Sequence, residues 1–225
     1  MIEADAPGPD RPQVFRFSTD SYREHERVAA WREAFGRTLL NIDLAPENTE
    51  GFRASAAMCS VGSLGIMRAS TSAVRQWNTR GLITNDNVSF GSILNGRWHG
   101  TQLGRDAELS AGDGLLLSNG DVGALTLPDE CRFLTFVLPK AALAPLVPDL
   151  GALFSRPVPA ANPALRMLRR YLELAYEDQS EIATPELQTV LPIMSAISLP
   201  FVSALPATPP SWRISVASPP PGCAR

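Results

Sequence analysis

The sequence predicts a mainly β domain with helices: a jelly-roll barrel preceded by one helix and followed by a helical hairpin. Three observations carry this. One amphipathic stretch lies near the N-terminus, and short apolar runs punctuated by turn formers then extend from Leu40 to Leu138. Past Pro163 the apolar residues recur at helical spacing.

Residues 1–18 read as a flexible segment. Glu3, Asp5 and Asp10 stand among prolines, without the basic start or apolar run of a secretory signal, so a cytoplasmic location is expected. Ser18, Thr19 and Asp20 offer capping oxygens. Val28, Trp31, Phe35 and Leu39 then fall on one stripe, which predicts a helix from about residue 20 to 36 with Gly36 near its end. Trp31 and Phe35 on that stripe read as core.

The barrel is expected within a domain over 19–158. Its turns are marked by Asn85-Asp86-Asn87, Leu94-Asn95-Gly96, Gly104-Arg105-Asp106, Ala111-Gly112-Asp113-Gly114 and Ser118-Asn119-Gly120-Asp121. Val88, Phe90, Ser92 and Leu94 share one strand face, and Phe133 to Leu138 is a continuous apolar strand. Those four residues, with Trp98 near a rim, are the candidate lining of a pocket for an apolar or aromatic effector. The alternative is that they fill a closed core, as small barrels often do.

Residues 159–192 read as linker and dimerisation helices. Asn162 can cap, Pro163 suits a first helical position, and Leu165, Leu168, Leu172 and Ala175 recur as a seam; Thr184-Pro185-Glu186 repeats the start signal for a second helix. Arg166, Arg169, Arg170 and Glu173 leave that seam narrow, which favours a homodimer over packing on the barrel. From 193 to 225 prolines crowd the chain and no regular helix is expected; they also interrupt the uncharged run that would otherwise invite a membrane anchor.

Several chemistries lack their residues. A net charge of -3 supplies no general basic surface, so this chain alone is not expected to hold nucleic acid. Cys59, Cys131 and Cys223 form no CxxC pair. His25 and His99 are the two histidines, too few and too far apart for a three-nitrogen metal site, and His99 reads as an ordinary surface or turn residue. Asp106, Glu108 and Asp113 read as turn and strand-edge carboxylates, Gly112-Asp113-Gly114 as a hairpin needing positive φ rather than a phosphate loop, and no Gly-x-Ser-x-Gly elbow occurs. No catalytic, metal or cofactor residue is expected.

Phe17-Ser18-Thr19-Asp20 followed by Glu26 to Gly36 resembles the opening of the AraC-binding-like sensor domain of AraC-type transcription regulators. Leu94-Asn95-Gly96, the turn Leu109 to Asp113, and Phe136 to Leu143 follow at fitting distances, and Leu168 to Leu172 with Ser180 to Leu187 resembles the family's linker helices. The resemblance spans about residues 13 to 191. It implies a cupin-like barrel that senses a small molecule, a helical dimerisation element, and normally a C-terminal pair of helix-turn-helix units, to which the last 34 residues bear no likeness. Read one base early, Thr208 to Arg225 can encode Asp-Ala-Ala-Glu-Leu-Ala-His-Gln-Arg-Gly-Leu-Pro-Ala-Ala-Arg-Leu-Arg-Ala, which resembles the family's continuation and points to a frameshift near residues 191 to 194. The expected function is therefore effector sensing and dimerisation without DNA reading. The alternatives are a structural dimerisation fragment without ligand and, less favoured, a cupin-type enzyme.

Overall fold

The computed structural model describes residues 3–4, 14–61, 63–147 and 149–177. Alternating apolar residues and turn formers build thirteen strands among these residues. They are β1 (Glu3–Ala4), β2 (Val14–Ser18), β3 (Asp43–Pro46), β4 (Ala54–Val61), β5 (Leu64–Thr71), β6 (Val74–Asn78) and β7 (Val88–Asn95). After these come β8 (Arg97–Gln102), β9 (Arg105–Ser110), β10 (Gly114–Ser118), β11 (Gly123–Leu127), β12 (Cys131–Leu138) and β13 (Pro157–Val158). The helices are α1 (Glu24–Trp31), α2 (Lys140–Leu143) and α3 (Pro163–Glu177). Two antiparallel sheets result, one in the order β1-β2-β4-β5-β12-β7-β10-β13 and the other β3-β6-β11-β8-β9. Their inner faces close into the barrel that the turn spacing predicts.

The barrel begins earlier than the boundary expected at residue 19. β2 pairs with β4 from Val14↔Cys59 to Ser18↔Ser55, and Val14 and Phe17 are buried. The first helix is shifted as well. Ser18 caps a short 3₁₀ turn at Thr19–Ser21 by accepting from Asp20 N, and α1 starts only at Glu24, where Glu26 reaches back to Arg23 N. The helix then runs through Gly36 as a wider π-helical stretch, Arg32–Leu40, and Asn41 in the left-handed region (φ 55) ends it. Trp31 and Phe35 are fully buried and stack with ring centroids 4.0 Å apart, so the stripe expected to be core is core.

Asn162 caps α3 as its position predicts, its Oδ1 accepting from Ala164 N and Leu165 N at 2.9 and 3.1 Å. The seam on α3 does not face outward. Leu165, Leu168 and Leu172 are between 0 and 2 % exposed, packed with Val88, Phe90, Leu134, Phe136 and Leu138 on the outer face of the larger sheet. Their expected role at a dimer interface is corrected to intramolecular packing. The reason is general: a three-and-four stripe is the same whether it covers a helix or a sheet, and β12, apolar along its length, has two faces to bury. Ala175 lies in the last turn of α3, and its side chain is outside the described residues, as are the second helix expected at Thr184 and the whole 193–225 segment. No described helix is long and apolar enough to cross a membrane.

Candidate functional site

The parity of β7 decides which side chains enter the barrel. Successive residues of a strand point to opposite faces, and here the odd-numbered ones point inward. Ser89 and Gly91 line a cavity of about 130 Å³ that opens to solvent at one end, and Ile93 joins the barrel core. Val88, Phe90 and Leu94 instead pack toward α3, with Phe90 and Phe136 rings 5.4 Å apart. Ser92, on their side, donates to Asp113 O. Four of the five expected pocket residues, Val88, Phe90, Ser92 and Leu94, are therefore on the outer face of the sheet, one register step from the cavity.

The fifth, Trp98, does line the cavity. Its ring approaches β7 closely because residue 91 is glycine: a Cβ there would lie 2.5 Å from Trp98 Cη2. Its Nε1 donates to Cys131 Sγ at 3.2 Å, and Phe133 meets it edge-on at 5.2 Å. Burial pushes the Cys131 thiol up to about 11, against the opposing pull of that hydrogen bond. The thiol is thus protonated at neutral pH and unsuited to nucleophilic work.

At the mouth, side-chain amides stitch the strand ends together. Gln102 Nε2 donates to Ser118 O (2.8 Å) and Asp121 O (3.1 Å), while its Oε1 accepts from Ser118 N. Asn78 Nδ2 donates to the same Asp121 O, and its Oδ1 accepts from Gly123 N at 2.6 Å. Ser89 Oγ donates to Asn119 Oδ1. These groups are occupied in holding the rim. Deeper in, Gln76 (6 % exposed) on β6 and Thr135 (8 % exposed) on β12 line the cavity, and neither side chain has a hydrogen-bond partner among the described residues. Sequence reasoning passed over both, since each interrupts an apolar pattern without any motif around it. A polar residue inside an otherwise buried strand is the signal that could have found them.

Asp113 holds a turn, as its position indicates. Its Oδ2 accepts from Ser110 N and its Oδ1 from Ala160 N, and Gly112 beside it takes φ 95. His99 is half exposed with Glu108 3.8 Å away. Among the described residues no group of three or more His, Cys, Asp or Glu is placed to hold a metal ion.

A model of the AraC-binding-like domain matches residues 31–191. No curated protein matches the sequence. Among solved structures, the AraC-like transcriptional activator CuxR superimposes with a TM-score of 0.68 at 17% identity, over 83% of this chain and 69% of that one. An ethanolamine utilization protein Q from Salmonella typhimurium LT2 (TM-score 0.30, 17% identity, 44% of this chain and 69% of that one) overlaps only in part. So does KdgF from Halomonas sp. (TM-score 0.30, 12% identity, 44% and 87%). The match to CuxR supports the cupin-like jelly roll over most of the chain, and the family model covers well over half of it. The chain belongs to the AraC-binding-like domain family.

Proposed function

We propose that this chain is the effector-sensing region of an AraC-type transcription regulator, with the barrel cavity as the site of the effector. The observation that supports it is the cavity itself, into which Gln76 and Thr135 present polar groups that have no hydrogen-bond partner among the described residues and are open to a ligand. β7 and β12 form a wall shared by the cavity and α3, so a ligand that shifts the wall reaches the helix through Phe90 and Leu165. The first test is a thermal-shift screen of the chain beside its Leu125→Trp variant, which fills the cavity from β11. Ligands that stabilise the former and not the latter support the reading; equal behaviour of both overturns it.

Pairing of two copies is part of the same proposal, through a different surface from the seam expected. With Leu165, Leu168 and Leu172 turned inward, the outer face of α3 presents Met167 (74 % exposed) and Leu174 (66 % exposed), seven residues apart and so aligned along the helix. Light scattering on Met167→Lys/Leu174→Lys against the unmutated chain decides: loss of a dimer supports this face, and a monomer before any mutation removes it. DNA reading is not assigned to the barrel, consistent with the net charge of -3.

A further inference from the structure

The cavity is lined at several levels by polar side chains, among them Gln76, Thr101, Ser89 and Thr135, but by no Asp, Glu, Lys, Arg or His. A charged ligand entering it would leave water without meeting an opposite charge, and such transfer is far more costly than that of a neutral polar group. The rim amides of Asn78 and Gln102 carry no charge to offset it, and each is already held by a backbone carbonyl and a backbone N–H. Among the lining groups with no hydrogen-bond partner among the described residues, the two most buried are the Gln76 amide, able to donate and accept, on one sheet, and the Thr135 hydroxyl on the other.

Size narrows the class further. The space of about 130 Å³ is close to the ~150 Å³ apolar cavity that accepts benzene, so the part of a ligand that it seats is about one ring. Trp98 and Phe133 supply aromatic surface, Met67 and Leu125 the rest of an apolar enclosure.

Resting on the reading of the cavity as a sensing site, we infer that its ligand is an electrically neutral molecule of about one ring, with a single polar function held by the Gln76 amide and the Thr135 hydroxyl. Gln76 is then the residue that sets specificity, and small aromatic or lipid-like acids are excluded in their ionised form.

Three probes of nearly one shape and different charge test this on the full chain at neutral pH: benzamide, benzoate and benzamidinium, with toluene as an apolar reference. Calorimetry and thermal shift should find benzamide at least about tenfold tighter than either ion. Gln76→Leu should weaken benzamide by about tenfold while leaving toluene equal or tighter, since the cavity persists and only the amide is gone. Binding of benzoate or benzamidinium as tight as benzamide overturns the inference and leaves the sensing site standing. Absence of stabilisation by all four probes overturns both. Unchanged benzamide affinity in Gln76→Leu removes Gln76 as the specificity residue. Should that variant not fold, the comparison of the three probes on the unmutated chain still decides the charge question.

Discussion

The two faces of β7 are built to opposite ends. Toward α3, Val88 and Phe90 meet Leu165, Leu168 and Leu172 in a cluster sealed from solvent; toward the barrel, Ser89 and Gly91 leave space. Adjacent residues of one strand thus belong to a filled core and to a cavity wall. The difference teaches that burial in this barrel is local: at β7 the outer face is filled under the helix, while the inner face at Ser89 and Gly91 gives up packing density beside an otherwise well-packed interior.

The sharpest way to break that comparison is to truncate one residue on each face. Phe90→Ala removes a ring with 1 % exposure and should cost about 3–5 kcal/mol, whereas Ser89→Ala should stay within about 1 kcal/mol; chemical denaturation of both variants measures the contrast. Comparable losses would mean that the inner face carries as much of the stability as the outer.

Alkaline pH divides the faces by titration. Burial raises the thiols of Cys59, in the outer cluster, and Cys131, in the barrel core, from 9.0 to about 11, and it raises the Tyr171 hydroxyl from 10.0 to about 12. In the unfolded chain these groups lose protons first, so the folded state binds more protons in the interval and stability must fall as pH rises from about 9 to 12. Each cysteine contributes up to about 3 kcal/mol of that fall. Melting temperatures across the interval should drop less steeply for Cys59→Ala and Cys131→Ala; a flat profile in the unmutated chain would show both thiols to be reached by water.

Gly91→Ala tests the cavity wall with a single methyl group. The new Cβ meets the Trp98 ring, so we expect a loss of about 1–3 kcal/mol and a smaller cavity, read by denaturation and by weaker benzamide binding. The smallest effect is expected at Met167→Lys, on the exposed face of α3, within about 0.5 kcal/mol for the isolated chain.

Much of this fold is legible in the sequence because its signals are local. Asn162-Pro163 announces the start of α3, Asn95-Gly96 separates β7 from β8, and the stripe through Trp31 and Phe35 marks core. The candidate site is less legible, for a reason that lies in the period of two. Val88, Phe90, Ser92 and Leu94 do share one face, yet nothing in their spacing says whether that face looks into the barrel or out beneath a helix. Gly91 held the missing hint: a glycine inside an otherwise apolar strand marks close approach of another group, here Trp98, and so identifies its own side as the interior. The seam of α3 is ambiguous in the same way, since Leu165, Leu168 and Leu172 would look alike against a second chain or against their own sheet. The π-helical stretch at Arg32–Leu40 has no sequence signal of its own, since its residues read as an ordinary helix end.

The wall shared by cavity and helix has one more consequence, which is thermodynamic and runs in both directions. If occupation of the cavity alters how firmly α3 seats on Phe90 and Phe136, then changing that seat must alter the affinity of the cavity by the same factor, because the coupling free energy belongs to the pair of sites and not to either one. A substitution at Leu168, on the far side of the sheet from any ligand, would then tune the concentration at which the barrel fills. Natural variation in sensitivity could accumulate under the helix while every residue in the cavity stays the same.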